Sequence, residues 1–189
     1  MRYFTSDWHL NEKRIGDFNP FFRPFKSITE QNDTILGNLN ETVQPDDELY
    51  HLGDVAMDEE GIKLLDRIRC KKRILIVGNY DEDKLDKLTK YFDSLKREMD
   101  LKVGDVDCYL NHYPVKGVVD RFNITGHIHS LWKVKPNMVN VGVDAWHFRP
   151  VSEKEILFVH NAIVKGYYDA NVFVGCNPAK LAGNPAGKS

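Results

Sequence analysis

The sequence predicts an α/β fold, built on either one large mixed sheet or two packed sheets. Short apolar strands alternate with amphipathic helices through the first half of the chain, and strands then follow one another closely. That order suits a layered α/β domain. A third observation concerns chemistry. Five of the strands end on a carboxylate, an amide or an imidazole, at the edge where sites form in open α/β sheets.

The elements follow in order. Residues 2–6 read as a strand, and residues 29–43 as a helix with Ile35, Leu36 and Leu39 on one side. A short strand spans 48–52, and a helix follows near 59–69. The run Arg73-Ile74-Leu75-Ile76-Val77 is apolar enough for a strand buried on both faces. Residues 82–94 read as a charged helix. Strands at 100–103 and 107–111 pair around Gly104-Asp105, and further strands span 122–125 and 138–143. A last helix opens at Ser152, with Glu155 at the capping-box position. Residues 1–165 are expected to form the domain. Residues 166–189 form a C-terminal extension whose last residues, rich in Gly, Pro, Asn, Ala and Lys, fray. The loop 17–23, with three Phe and a Pro, either packs beneath the core or walls a substrate cleft.

A chain of 189 residues suits a single domain with a real core. Its formal net charge of −2 gives no global pull toward nucleic acid or an anionic membrane. A nucleic-acid substrate is compatible with a local metal charge but is not indicated by the overall balance. No apolar run approaches the roughly 18 residues that span a bilayer, and the N-terminus lacks an apolar signal region. Cys70, Cys108 and Cys176 are widely spaced with no CxxC, as expected for reduced thiols, two of them buried, in a cytoplasmic protein.

The chemistry lies where ligand-type residues fall. Asp7-Trp8-His9 follows the first strand, Gly53-Asp54 the second and Gly78-Asn79 the third. His112 follows Cys108-Tyr109-Leu110, and Gly126-His127-Ile128-His129 follows the strand 122–125. In extended backbone, residues i and i+2 point the same way, so Asp7 and His9 can reach one ion together, and so can His127 and His129. A carboxylate on a short loop can bridge two cations, and Asp54 is the candidate. Asn79 adds a neutral amide oxygen, which suits a site already carrying two carboxylates. Each fragment alone is common in turns and caps. Together, in this order and all at strand ends, they point to a dinuclear metal site.

These residues resemble the calcineurin-like metallophosphoesterase superfamily. Its pattern runs Asp-x-His, Gly-Asp, Gly-Asn-His-Asp/Glu, a later His, and Gly-His-x-His. Here it reads Asp7-Trp8-His9, Gly53-Asp54, Gly78-Asn79-Tyr80-Asp81, His112 before Tyr113-Pro114, and Gly126-His127-Ile128-His129. The segment from Asn140 to Trp146 resembles a closing segment of small phage or bacterial members. The resemblance implies a four-layer α/β/β/α sandwich of two mixed sheets and a dinuclear centre. One metal would take Asp7, His9, Asp54 and His129, and the other Asp54, Asn79, His112 and His127. The mixed oxygen and nitrogen donors favour a divalent transition metal, Mn²⁺ first, with Fe, Ni²⁺, Co²⁺ or Zn²⁺ as alternatives.

One position departs from the pattern. Tyr80 stands where the family places a histidine that protonates the leaving oxygen. Three readings stay open: Tyr80 donates to the leaving oxygen, His51 or His147 does so, or the leaving group needs no acid. Asp81, which would orient the missing histidine, is either part of this machinery or an N-cap of the helix at 82. His51 is also placed to support a ligand carboxylate, or to pack in its strand. Asp144, Trp146, His147 and Arg149 follow a strand expected near the cleft, where Arg149 either clamps a phosphate or is a surface residue. The basic run from Arg67 to Arg73 reads as a solvated helix end, with a nucleic-acid contact as the lesser reading, and His160 as a helix-surface residue. The expected function is metal-dependent hydrolysis of a phosphoester, with a phosphodiester or small nucleotide slightly preferred. The alternatives are a phosphomonoesterase, including a protein phosphatase, and a non-catalytic metal-binding module.

Overall fold

In the computed structural model, which describes residues 1–167, ten strands form two five-stranded mixed sheets accompanied by four α-helices. In the first sheet β1 (Arg2–Thr5), β2 (Glu48–His51), β3 (Lys72–Ile76) and β4 (Ser94–Lys96) run parallel. The short β10 (Val151–Ser152) lies antiparallel on the outer side of β1. In the second sheet β5 (Glu98–Val103) forms a hairpin with β6 (Val106–Asn111). Strand β6 then pairs in parallel with β7 (Phe122–Thr125), and β7 with β9 (Met138–Asn140). Strand β8 (Val134–Lys135) closes the far edge, antiparallel to β9. The expected α/β fold, in its two-sheet form, is the one observed.

Alternation along the strands builds two cores. On one face of the first sheet Leu49 and Leu75 meet Ile35, Leu36 and Leu39 of α1 (Ile28–Thr42), Ile62 of α2 (Glu59–Lys63) and Leu88 of α3 (Leu85–Leu88). On the other face Phe4, Tyr50, Leu52, Ile74 and Ile76 meet Cys108, Leu110, Ile124 and Val139 of the second sheet. Helix α4 (Glu153–Val164) adds Ile156 and Val159 to this inter-sheet core. Each such side chain contributes about 1.5–3 kcal/mol by leaving water. Ser152 and Glu155 form the expected capping box at the start of α4, and Ser27 caps α1 by accepting the Glu30 N–H.

Three expectations need correction. The charged helix at 82–94 is absent: a 3-10 turn at Glu82–Lys84 leads into the single turn of α3, and Ser94–Lys96 is strand β4. The cause is local. The Asp93 carboxylate accepts the Arg73 N–H at 2.7 Å, and the Asp93 N–H donates to the Arg73 carbonyl at 2.8 Å, which draws the chain onto β3. The helix at 59–69 is a five-residue α2 followed by a 3-10 turn at Leu64–Arg67. The strand at 138–143 stops at Asn140. Strands β8 and β10, two residues each, are too short for a periodicity to register.

The parallel strands of both sheets end at one edge, where a parallel bridge between Ser6 and Gly142 links the two sheets. Among the described residues, no helix is long and apolar enough to cross a membrane. Cys70 and Cys108 are buried and free. Cys176 and most of the expected C-terminal extension lie outside the described residues.

Candidate metal centre

All seven expected ligand positions come together at this edge, in two groups. Ligand atoms of Asp7, His9 and His129 lie within 4.8 Å of one another, and so do those of Asp54, His112 and His127. Asn79 joins the second group, its Oδ1 3.2 Å from His112 Nε2 and 3.1 Å from His127 Nδ1. Those two ring nitrogens are themselves 3.2 Å apart. Asp54 Oδ2 is 3.4 Å from His112 Nε2 and 3.6 Å from His9 Nε2, so it stands between the groups.

These donors fit metal cations. His112 donates Nδ1–H to the Leu52 carbonyl at 2.6 Å, which leaves a lone pair on Nε2 facing the Asn79 oxygen. Lone pairs this close repel unless a cation or proton lies between them. Neighbouring ligands around a cation about 2.0–2.1 Å away are themselves about 3 Å apart. His9 Nε2 is buried and has no hydrogen-bond partner, as a nitrogen reserved for a cation would be.

The backbone differs from the extended form expected. Asp7, His9, Asp54, His127 and His129 have φ of 59°, 47°, 61°, 73° and 51°. Side chains in left-handed backbone do not follow strand alternation: Asp7 and His9 still share a group, while His127 and His129 fall into different groups, the division that the resemblance implies. Such conformations cost free energy and persist only where the surroundings enforce them. The enforcement is visible: Asp7 N–H donates to the Gly53 carbonyl at 2.9 Å and His9 N–H to the Asp54 carbonyl at 3.0 Å. The His127 N–H donates to the Asp7 carboxylate at 3.0 Å. Gly53 turns with φ of 96°, and a Cβ there would sit 2.5 Å from His112 Nδ1 and 2.7 Å from Gly78 Cα. Only glycine meets both demands.

The electrostatics call for positive charge. Burial pushes the Asp7 carboxyl up to about 6. Burial favours neutral His112, but its hydrogen bond to Asp54 and the Asp7 charge outweigh this and raise it to about 9. Burial likewise opposes the Asp54 charge, yet His112 holds that carboxyl below its ordinary value. Without a cation, the proton on His112 is the countercharge for two buried carboxylates.

The residues expected to catalyse are placed differently from one another. The Tyr80 ring lies edge-on to His9 at 4.8 Å, and its backbone N–H donates to Asp54 Oδ1 at 2.9 Å. Asp81 is fully buried and accepts the N–H groups of Asp54, Val55 and Gly78, each at 2.9 Å. Its side chain makes no helix cap. His51 is fully buried, edge-on to Trp8 at 4.3 Å, and its Nδ1 accepts the Gly53 N–H at 3.1 Å. It stands beneath the ligand loops rather than among the ligands. His147 is exposed. Arg149 pairs with Glu41 at 3.7 Å, Arg67 with Asp33 and Lys71 with Asp46, as surface residues do. His160 is half-buried against Phe122 at 5.1 Å, not on the helix surface as expected.

Two supporting residues complete the site: Asp144, expected near the cleft but without a role, and Arg23, which was not expected there. Asp144 accepts His129 Nδ1–H at 2.9 Å. Arg23 is buried and donates to both Asp144 oxygens. An arginine within a Phe-rich loop is the only signal the sequence offers for it. The loop is a wall of the site: Phe18 packs against His9 at 4.9 Å and His129 at 5.1 Å, while Phe21 and Phe22 stay exposed. Beside it a hollow of about 420 Å³ is lined by Asn19 and residues 127–131.

The fold and the site together define a mixed α/β sandwich with two adjoining groups of metal-ligand-like residues at one sheet edge. No protein-family model matches the chain. It is 26% identical over 164 residues to the uncharacterized protein MJ1445 of Methanocaldococcus jannaschii, covering 79% of this chain and 85% of that protein. The crystal structure of AQ665, a protein of unknown function from Aquifex aeolicus, is similar with a TM-score of 0.68 at 28% identity, covering 84% of this chain and 98% of that one. Vacuolar protein sorting 29 from Cryptosporidium parvum is a slighter likeness, with a TM-score of 0.40 and 13% identity over 74% of this chain and 72% of that one.

Proposed function

We propose that this chain is a dinuclear metal-dependent phosphoester hydrolase of the calcineurin-like metallophosphoesterase type. The observation that carries the reading is the position of Asp54 Oδ2, within 3.6 Å of ring nitrogens from both ligand groups. Asp7, His9, Asp54 and His129 would hold one cation, and Asp54, Asn79, His112 and His127 the other, with Mn²⁺ preferred and Fe, Ni²⁺, Co²⁺ or Zn²⁺ also suited to these donors. Two bound divalent cations supply Lewis acidity toward a phosphoryl oxygen and lower the pKa of a water nucleophile.

The chain's own residues do the positioning. Phe18 excludes water from the side of His9 and His129. Tyr80 is the proton donor best placed toward a leaving oxygen, since His51 is enclosed by Trp8 and Phe92 and cannot reach one. The preferred substrate is a phosphodiester or a small nucleotide, acted on in the cytoplasm, with the Tyr80 hydroxyl donating to the leaving oxygen. The hollow beside the ligands, about 420 Å³, suits a small molecule.

The test is a Mn²⁺-supplemented comparison of bis-p-nitrophenyl phosphate, p-nitrophenyl phosphate and cyclic nucleotides, with Asp54→Asn as control. Diester turnover that disappears in Asp54→Asn is the expected result. Less than one transition metal per chain, with no gain on adding Mn²⁺, would instead favour the fold as an interaction surface.

A further inference from the structure

We infer that Arg23 and Asp144 are positioning residues for one metal position, that of Asp7, His9 and His129, and not for the other; the inference rests on the dinuclear reading above. Both side chains are buried, 1% and 0% exposed. A buried ion pair is tolerated only when its hydrogen-bonding capacity is used, and every bond this pair makes serves the same corner of the site. Arg23 Nε donates to Asp144 Oδ1 at 2.7 Å and Nη2 to Oδ2 at 2.9 Å. Nη1 donates to the Trp8 carbonyl at 2.9 Å, and Nη2 also reaches the Asp7 carbonyl. Asp144 in turn accepts His129 Nδ1–H at 2.9 Å and the Asn19 amide at 2.9 Å.

Two consequences follow for that position. With Nδ1 donating to Asp144, the lone pair of His129 is on Nε2, and the ring orientation is set. With the carbonyls of Asp7 and Trp8 turned to the guanidinium, the left-handed turn presenting Asp7 and His9 is braced. The same guanidinium lies 5.3 Å from the Phe18 ring, which covers His9 and His129. The loop over the position and the ligands beneath it therefore share one anchor.

The other position shares Asp54, and the His127 N–H donates to the Asp7 carboxylate at 3.0 Å, but its remaining supports are different groups. His112 is oriented by the Leu52 carbonyl, and the backbone N–H groups of Asp54 and Gly78 by Asp81. None of these bonds involves Arg23 or Asp144. His127 and Asn79 are exposed where Phe18 shields their counterparts.

The experiment is a Mn²⁺ titration by calorimetry, followed by electron paramagnetic resonance, on the full chain. Wild type is expected to bind two ions with a spin-coupled signal. Asp144→Asn and Arg23→Lys are expected to weaken one position about 10- to 100-fold and leave the other within about two-fold, with an isolated Mn²⁺ signal at two equivalents. The retained position reports that the variant is folded. Combining Asp144→Asn with His127→Ala should impair both positions, while combining it with His129→Ala should add little to His129→Ala alone. Equal weakening of both positions, no weakening, or full additivity with His129→Ala would overturn the assignment. A wild-type chain that binds no Mn²⁺, Zn²⁺, Co²⁺ or Ni²⁺ would remove the metal reading and this inference with it.

Discussion

The Asp81 carboxylate accepts the backbone N–H of Asp54 at 2.9 Å, so the residue standing between the two ligand groups is held by a second buried carboxylate. The same group also accepts the N–H of Val55 and Gly78, which fixes two ligand loops against each other. Replacing Asp81 by Ala leaves three buried donors without partners and is expected to cost about 2–4 kcal/mol. Asp81→Asn, which keeps one acceptor oxygen, should cost less. Urea denaturation checks both, and an Asp81→Ala chain as stable as wild type would rule out this role.

Gly53 is a second point of control. A Cβ at φ of 96° is strained in itself, and here it would also crowd His112 Nδ1. Gly53→Ala is expected to destabilise by more than about 1 kcal/mol, lowering Tm by about 2–4 °C or more for a chain of this size. It should also weaken Mn²⁺ binding, because His112 must move. Calorimetric melting with and without Mn²⁺ separates the two effects.

Tyr80 can be tested by leaving-group dependence. Tyr80→Phe should leave turnover of bis-p-nitrophenyl phosphate nearly unchanged, since nitrophenolate departs without help. A diester with an alkoxide leaving group should slow by tenfold or more, within the range a general acid contributes. Equal slowing on both substrates would mean that the phenol supports structure and delivers no proton.

The buried His51 makes a pH prediction. Burial pushes its imidazole from 6.5 down to about 3. Between those values the unfolded chain binds a proton that the folded chain refuses, so stability rises with pH across the window. The contribution is complete above about pH 6.5 and is lost as pH falls toward 3, at up to about 1.4 kcal/mol per pH unit. The Asp7 carboxyl, pushed up to about 6, titrates in the opposite sense, so the slope is read from the stability of wild type relative to His51→Gln at pH 7, 6 and 5, which should fall as pH falls. A His51→Gln chain with the wild-type slope would assign the acid sensitivity to other groups.

Metal removal should register as a loss of stability. A cation held only by the folded chain adds about 2.7 kcal/mol at a concentration a hundred times its Kd. Chelator-treated protein should melt lower and recover on adding Mn²⁺. An unchanged Tm through this cycle would argue against tight cation binding at either ligand group.

By itself the sequence determined where ligand-type residues stand: Asp7, Asp54, Asn79, His112 and His127 each follow an apolar run, and that is a local pattern. It also determined the alternation that buries the first sheet on both faces and the capped starts of the longer helices. Strand spacing alone pairs His127 with His129, whereas the family pattern assigns them to different ions, which is how the structure groups them; only the tertiary structure decided the left-handed backbone that presents them. Nor did periodicity foretell that Asp93 would bond to Arg73 and draw the chain onto β3, or that Arg23 would reach Asp144 across 121 residues. The physical reason is the range of the interactions. Hydrophobic period and capping act within a turn or two of chain, whereas polar bonds such as these are made with whichever partner folding brings near.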